Sequence, residues 1–158
     1  MKAISLWQPW ASAMAFGLKH NETRSWPTAY RGDLVICSAK RKPTSMEVGE
    51  LEAYVRILHP MPYGCALCVV ELYDCLPTVL LDQPKLSKAE YELGNYEPGR
   101  FAWLTRNCRK FRSPIQIRGY QGIWNLDEKT EAEIIAMPKW RPTGDTFIEP
   151  RCDGEGEL

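Results

Sequence analysis

Residues 17–26 read GLKHNETRSW, and they follow a strand-like KAISL and a helix-like PWASAMA. KAISL alternates in polarity and is β-prone. Pro9 suits a first helical position, and Trp10, Ala13, Met14 and Gly17 keep i, i+3, i+4, i+7 spacing, with Gly17 as the stop. ETRSW then reads as extended, because Pro27 biases Trp26 away from helix. On an extended chain Glu22 and Arg24 share one face, and Lys19 enters from the turn before them.

On spacing alone, two readings of Lys19, Glu22 and Arg24 stay open. One is a solvated turn whose ion pairs are worth about 0–1 kcal/mol. The other is a ligand-holding group, in which Glu22 accepts from an amino edge while Lys19 or Arg24 holds a phosphate or carbonyl oxygen. Lys19 as a general base is a further version of it.

Working outward, DLVICSA (33–39) reads as a strand with Lys40, Arg41 and Lys42 at its exit. TSMEVGELEAYVRIL reads as one helix, opened by a capping box at Thr44 and Glu47. CALCVVELYDCL is the longest strand candidate. SKAEYELG is a helix with the capping signature at Ser87 and Glu90. RFAWLTRNCRKF and PIQIRG read as separate strands, GIWNL as another, and DEKTEAEIIAM as a helix with an acidic first turn. The order predicts an α+β fold, a small mixed or antiparallel β-barrel with peripheral helices. The domain spans 1–136, and 137–158 is an irregular acidic tail rich in Pro and Gly.

The chain of 158 residues has zero formal net charge, but the charge is zoned. Residues 1–42 carry +5, 43–99 carry −6, 100–126 carry +6 and 127–158 carry −5. A neutral total argues against tight non-specific DNA binding, although two basic zones would form one positive face if the fold joined them. No apolar run approaches the roughly 20 residues of a membrane span, and MKAISLWQPW has no signal-peptide core, so the expectation is a cytoplasmic protein. The six cysteines are then reduced thiols.

Cofactor fingerprints are missing: GxGxxG, GxxxxGK[ST] and HExxH do not occur. HNE (20–22) with CALC (65–68) approaches a zinc deaminase pattern. Gly64 stands where that pattern has proline, and cysteines three apart on a strand face opposite ways. The expectation is no metal and no cofactor. Six tryptophans are many for this length. Trp103 and Trp124 read as core, whereas Trp7, Trp10 and Trp26 flank the charged cluster and suit base stacking.

The stretch ISLWQPWASAMAFGLKHNETRSWPTAYRGDLVICSAKR resembles the ASCH domain family, whose fold is similar to the PUA domain. The family signature G-x-K-x-x-E-x-R is met by Gly17, Lys19, Glu22 and Arg24. The resemblance continues through GCALCVVELYDC, YEPGRFAWLTRN and IRGYQGIWNL, covering about residues 2–126. It implies a PUA-like barrel with a cleft beside the signature loop that takes RNA, a modified nucleoside or another nucleotide-like ligand. Lys19, Arg24, Lys40 and Arg41 would contact phosphate or carbonyl oxygens. Glu22 would read an amino edge, Trp7, Trp10 or Trp26 would stack a base, and Gln8 and Ser38 would be polar partners in the cleft.

Some branches of the family hydrolyse RNA or N4-acetylcytidine, so a metal-independent hydrolase with Lys19 as base and Glu22 orienting it is the alternative. The deacetylating branch has a threonine where Glu22 stands, and its distant glutamate falls in the region of Glu90 and Glu92. Thr23 is one residue off and faces the other way. A third reading is a protein-interaction module using the acidic helix at 127–137, with no affinity for nucleic acid. Oligomeric state is not legible in the sequence.

Overall fold

The strand β1 (Lys2–Leu6) is the organising element, because it is central enough to pair on both sides. It runs parallel to β3 (Gly32–Ser38) and antiparallel to β6 (Ile123–Asn125). In the computed structural model, which describes residues 1–140, the remaining strands are β2 (Asn21–Arg24), β4 (Cys65–Pro77), β5 (Phe101–Gln116) and β7 (Lys139–Trp140). The sheet order is β2-β5-β4-β3-β1-β6, with β7 on β5, and every pair except β1–β3 is antiparallel. The result is a curled α+β sheet of the PUA-like type, as the element order predicts.

Helix α1 (Trp10–Ala15) fills the curl. Its run of Ala11, Ser12, Ala13, Met14 and Ala15 is buried throughout, and small side chains let the helix sit close to β3, β4 and β5. The main core joins Ile4, Leu6, Met14, Leu34, Ile36, Val70, Leu72 and Trp103. The other face of the sheet packs Ala3, Val35, Val69, Phe111 and Ile115 under Ile134 of α5 (Glu128–Ala136). A smaller cluster ties α1 to α3 (Glu52–Leu58) through Ala13, Leu58 and Leu93.

Local departures from the sequence reading have physical causes. Pro9 is the N-cap of α1 rather than its first residue. The helix expected over 44–58 breaks at Leu51 into α2 (Ser45–Glu50) and α3, although the capping box of Thr44 and Glu47 forms as expected. The two strands expected around Pro114 are one strand, β5. Pro114 is tolerated because the register with β4 jumps from Lys110 to Ile115, so its missing N–H leaves no gap in that ladder.

The same irregularity, between Ala66 and Cys68 on β4, resets the side-chain alternation. Cys65 and Cys68 therefore enter the same core cluster instead of opposite faces. Both are protonated thiols in the core, with burial pushing each above the usual range. Among the described residues no group of three or more His, Cys, Asp or Glu is arranged to hold a metal. The irregular tail expected from residue 137 opens instead with an ordered pairing, in which Lys139 and Trp140 pair with Phe111 and Lys110. The acidic residues 141–158 lie outside the described residues. No helix among the described residues is long and apolar enough to cross a membrane.

Candidate nucleotide-binding site

The signature loop folds into two layers. The lower layer is a buried charge cluster. Gly17, at φ +74°, ends α1 and drops Lys19 inward, where the side chain is 1% exposed. Its Nζ lies 3.6 Å from Glu22 Oε2 and 4.0 Å from Glu90 Oε1, within ion-pair reach but beyond a hydrogen bond. Glu90 comes from α4 (Lys88–Glu92), whose N-cap Ser87 accepts from Glu90 N. The Glu90 carboxylate accepts from the backbone N–H of His20 and Asn21 and from the Tyr96 hydroxyl (2.7 Å). Burial, and the carboxylate of Glu90 next, push the Tyr96 phenol far above its ordinary range, so it serves as a donor. The His20 side chain is exposed, and that residue contributes through its backbone.

Arg24 links this layer to the upper one. Extended β2 sets Glu22 and Arg24 on the same face, and Arg24 Nε lies 2.9 Å from Glu22 Oε1. Each oxygen of Glu22 therefore faces a cation. Thr23 points away, accepting from Asn95 N, as the period-two argument predicts.

The upper layer is a cavity of about 790 Å³ at the end of the sheet where β1 and β3 finish. Its wall includes Ser5, Trp7, Arg24, Trp26, Ser38, Lys40, Gly64, Arg118 and Tyr120. The two basic zones of the sequence meet here, with Arg24 and Lys40 from the first and Arg118 from the second. No carboxylate lines this cavity among the described residues. Trp7 is half exposed, and Trp26 stands edge-on to Trp103 at 4.6 Å with 38% of its surface free. Tyr120 is 52% exposed and packs edge-on to Trp124. Gly64, at φ +67°, carries the stem of Lys40, since a Cβ there would meet Lys40 Cγ at 2.9 Å. A smaller pocket of about 180 Å³ adjoins it, lined by Ser5, Leu6, Trp7, Trp10, Glu22 and Arg24.

Several expected site residues have other tasks. Gln8 is fully buried and lines neither cavity: it donates to Ser12 Oγ and Pro62 O and accepts from Ser12 N, fixing the entry to α1. Ser38 borders the larger cavity, but its hydroxyl is engaged with the backbone of Cys65. Arg41 stacks on Trp7 at 3.9 Å and grips both oxygens of Glu47 at 3.0 Å, so it braces the wall instead of lining it. Trp10 lines the small pocket and packs partly into the α1–α3 cluster. Lys19 lies beneath the cavities and lines neither. Arg118 and Tyr120 are the residues the sequence reading left out of the site, and Glu90 entered it only through the family resemblance, alongside Glu92. The glycine-bounded RGYQG turn was the available signal for the first two.

Fold and cavity together define a PUA-like barrel domain with a cationic, aromatic-walled chamber at one end of its sheet. The chain belongs to the ASCH domain family, whose model matches residues 4–115. It is 34% identical over 134 residues to activating signal cointegrator 1 of Homo sapiens and 33% identical to the Mus musculus protein. Each alignment covers 80% of this chain and 22% of the relative, so the chain spans under a quarter of those proteins' length. The crystal structure of ASCH from Zymomonas mobilis superposes with a TM-score of 0.54 at 17% identity, covering 86% of this chain and 94% of that one. A point mutant of the same bacterial protein gives 0.54 at 18% identity, with 86% and 97% covered. At that identity the likeness is one of fold.

Proposed function

We propose that this domain binds single-stranded RNA or a nucleotide-like ligand in the chamber bounded by Trp7, Arg24, Trp26, Lys40, Arg118 and Tyr120. The observation that carries this reading is the convergence of three cations from distant parts of the chain on one concave surface. That surface has no lining carboxylate among the described residues and has exposed aromatic rings beside the cations. Cations hold phosphate and aromatic faces stack unpaired bases. Membership of the ASCH family supports the same ligand class.

The test is fluorescence anisotropy of a labelled single-stranded RNA across a salt series. Binding should weaken linearly on a log–log plot, with a slope of about −0.7 for each phosphate neutralised. No binding at low salt, or binding that ignores salt, overturns the reading and favours the protein-interaction alternative.

A hydrolase is the second reading, favoured by the 4.0 Å approach of Glu90 to Lys19. Against it, Lys19 lines neither cavity, and Glu22 occupies the position of the deacetylating branch's threonine. Incubation with N4-acetylcytidine and with labelled RNA should give no turnover. Turnover that Lys19→Arg abolishes in a folded variant would establish the enzyme.

A further inference from the structure

Buried polar side-chain atoms normally have partners, and those without one are informative. Ser5 Oγ and Arg41 Nη1 are buried and lack a hydrogen-bond partner, and Arg24 Nε, buried beside them, faces Glu22 Oε1 at 2.9 Å. They gather at one seam. Ser5 and Arg24 line both the large chamber and the small pocket, and Arg41 is stacked on Trp7, which also lines both. Ser5 lines both cavities and its hydroxyl can donate, so the seam offers a donor to a ligand. Glu22, the carboxylate at the small pocket, has one oxygen beside Arg24 and the other toward Lys19. The large chamber adds Lys40 and Arg118, neither of which has a carboxylate partner among the described residues.

The two cavities differ in what they fit. The small one, walled by Leu6, Trp7 and Trp10, has room for one flat ring. The large one presents three positive charges. An interior phosphodiester brings one negative charge and two free oxygens. A terminal phosphate brings about 1.5 to 2 charges and three acceptor oxygens.

We propose that the site takes a nucleotide bearing a terminal phosphate, with its base in the small pocket and its phosphate in the large chamber. The phosphate oxygens then face the chamber's cations Arg24, Lys40 and Arg118, with Ser5 Oγ donating to the ligand. The inference rests on the ligand reading above and narrows it. A free nucleotide and the phosphorylated end of a single strand share this chemistry.

Calorimetry on the full chain separates the possibilities. The titrants are AMP, CMP, GMP and UMP, the four matching nucleosides, and one RNA tetramer made with a 5′-hydroxyl, a 5′-phosphate or a 3′-phosphate. Phosphorylated ligands should bind at least about tenfold tighter than their unphosphorylated counterparts, the effect of one charge-assisted contact. Preference among the mononucleotides alone identifies a free nucleotide, and preference among the tetramers identifies a strand end. Arg118→Ala should erase most of the preference, and Ser5→Ala should reduce it without lowering the melting temperature. If the nucleosides bind as tightly as their monophosphates and the hydroxyl-ended tetramer as tightly as its phosphorylated forms, the inference is overturned while RNA binding stands. If nothing binds at low salt, both fail.

Discussion

The cluster beneath the signature loop and the chamber above it use the same residue types to opposite ends. Below, Lys19, Glu22 and Glu90 are almost sealed from water, and every charge faces an opposite one. Above, Lys40 and Arg118 are exposed and face no lining carboxylate among the described residues. Arg24 belongs to both, with its Nε toward Glu22 and its side chain 30% exposed to the chamber. Charge density in a sequence motif therefore does not by itself mark a binding group. Charges answered from within the fold hold its shape, and charges left unanswered at a concave surface are available to a ligand. Glu90 pins the start of β2 through two backbone amides, and β2 in turn presents Arg24.

The comparison breaks most readily at Lys19. Removing one partner of a buried ion cluster leaves the other charges uncompensated, at about 3–5 kcal/mol. Lys19→Met should lower the unfolding free energy by that amount, read as a lower urea midpoint at an unaltered slope. A loss below about 1 kcal/mol, the scale of a surface pair, would mean that the cluster is not structural.

A smaller effect is expected at the chamber's rim. A Cβ on Gly119 would lie 2.4 Å from Ser5 Oγ. Gly119→Ala should cost about 1–3 kcal/mol, the usual range for overpacking. Ser5→Ala removes the clashing oxygen, so the double variant should recover most of the loss. Absence of rescue would show that the turn does not rest on Ser5.

Tyr96 sharpens the lower layer further. Tyr96→Phe removes one donor from Glu90 while leaving the two backbone amides, for about 0.5–1.5 kcal/mol. The folded phenol sits far above its unfolded value, so the stability it contributes is complete below about pH 10. That stability is lost as pH rises beyond that value. An alkaline titration followed by phenolate absorbance should therefore find Tyr96 silent through pH 10 while the protein is folded. A phenolate forming there at its ordinary pH would contradict the burial.

Much of this was legible in the sequence, and what was not has identifiable causes. The period-two argument correctly set Glu22 with Arg24 and turned Thr23 away, because both facts are local to one short strand. The alternation argument failed at Cys65 and Cys68 because a register irregularity on β4 leaves no signal in composition. Glu90 lies 70 residues from His20 and bonds to backbone amides, which carry no residue identity for a sequence pattern to register. Gln8, a cleft residue by the family resemblance alone, is spent on Ser12 and Pro62. Arg118 needed the sheet order, since it reaches the chamber through the turn that precedes β6, the neighbour of β1.

Arg118→Ala should have the smallest effect on stability and a distinct effect on binding. Its side chain is exposed, and its ring contact is with Tyr120 at 5.5 Å. Surface substitutions of this kind stay within about 0.5 kcal/mol, so thermal unfolding should be nearly unchanged. The salt dependence of RNA binding should nevertheless become shallower, by about 0.7 in log–log slope, if Arg118 neutralises one phosphate. Lys19→Met makes the opposite control: at a temperature where that variant remains folded, its salt slope should match that of the parent chain. Should Arg118→Ala leave the slope untouched while Lys19→Met alters it, the assignment of the two layers is reversed. The ligand would then have to reach down to the buried cluster, past the residues that line the chamber.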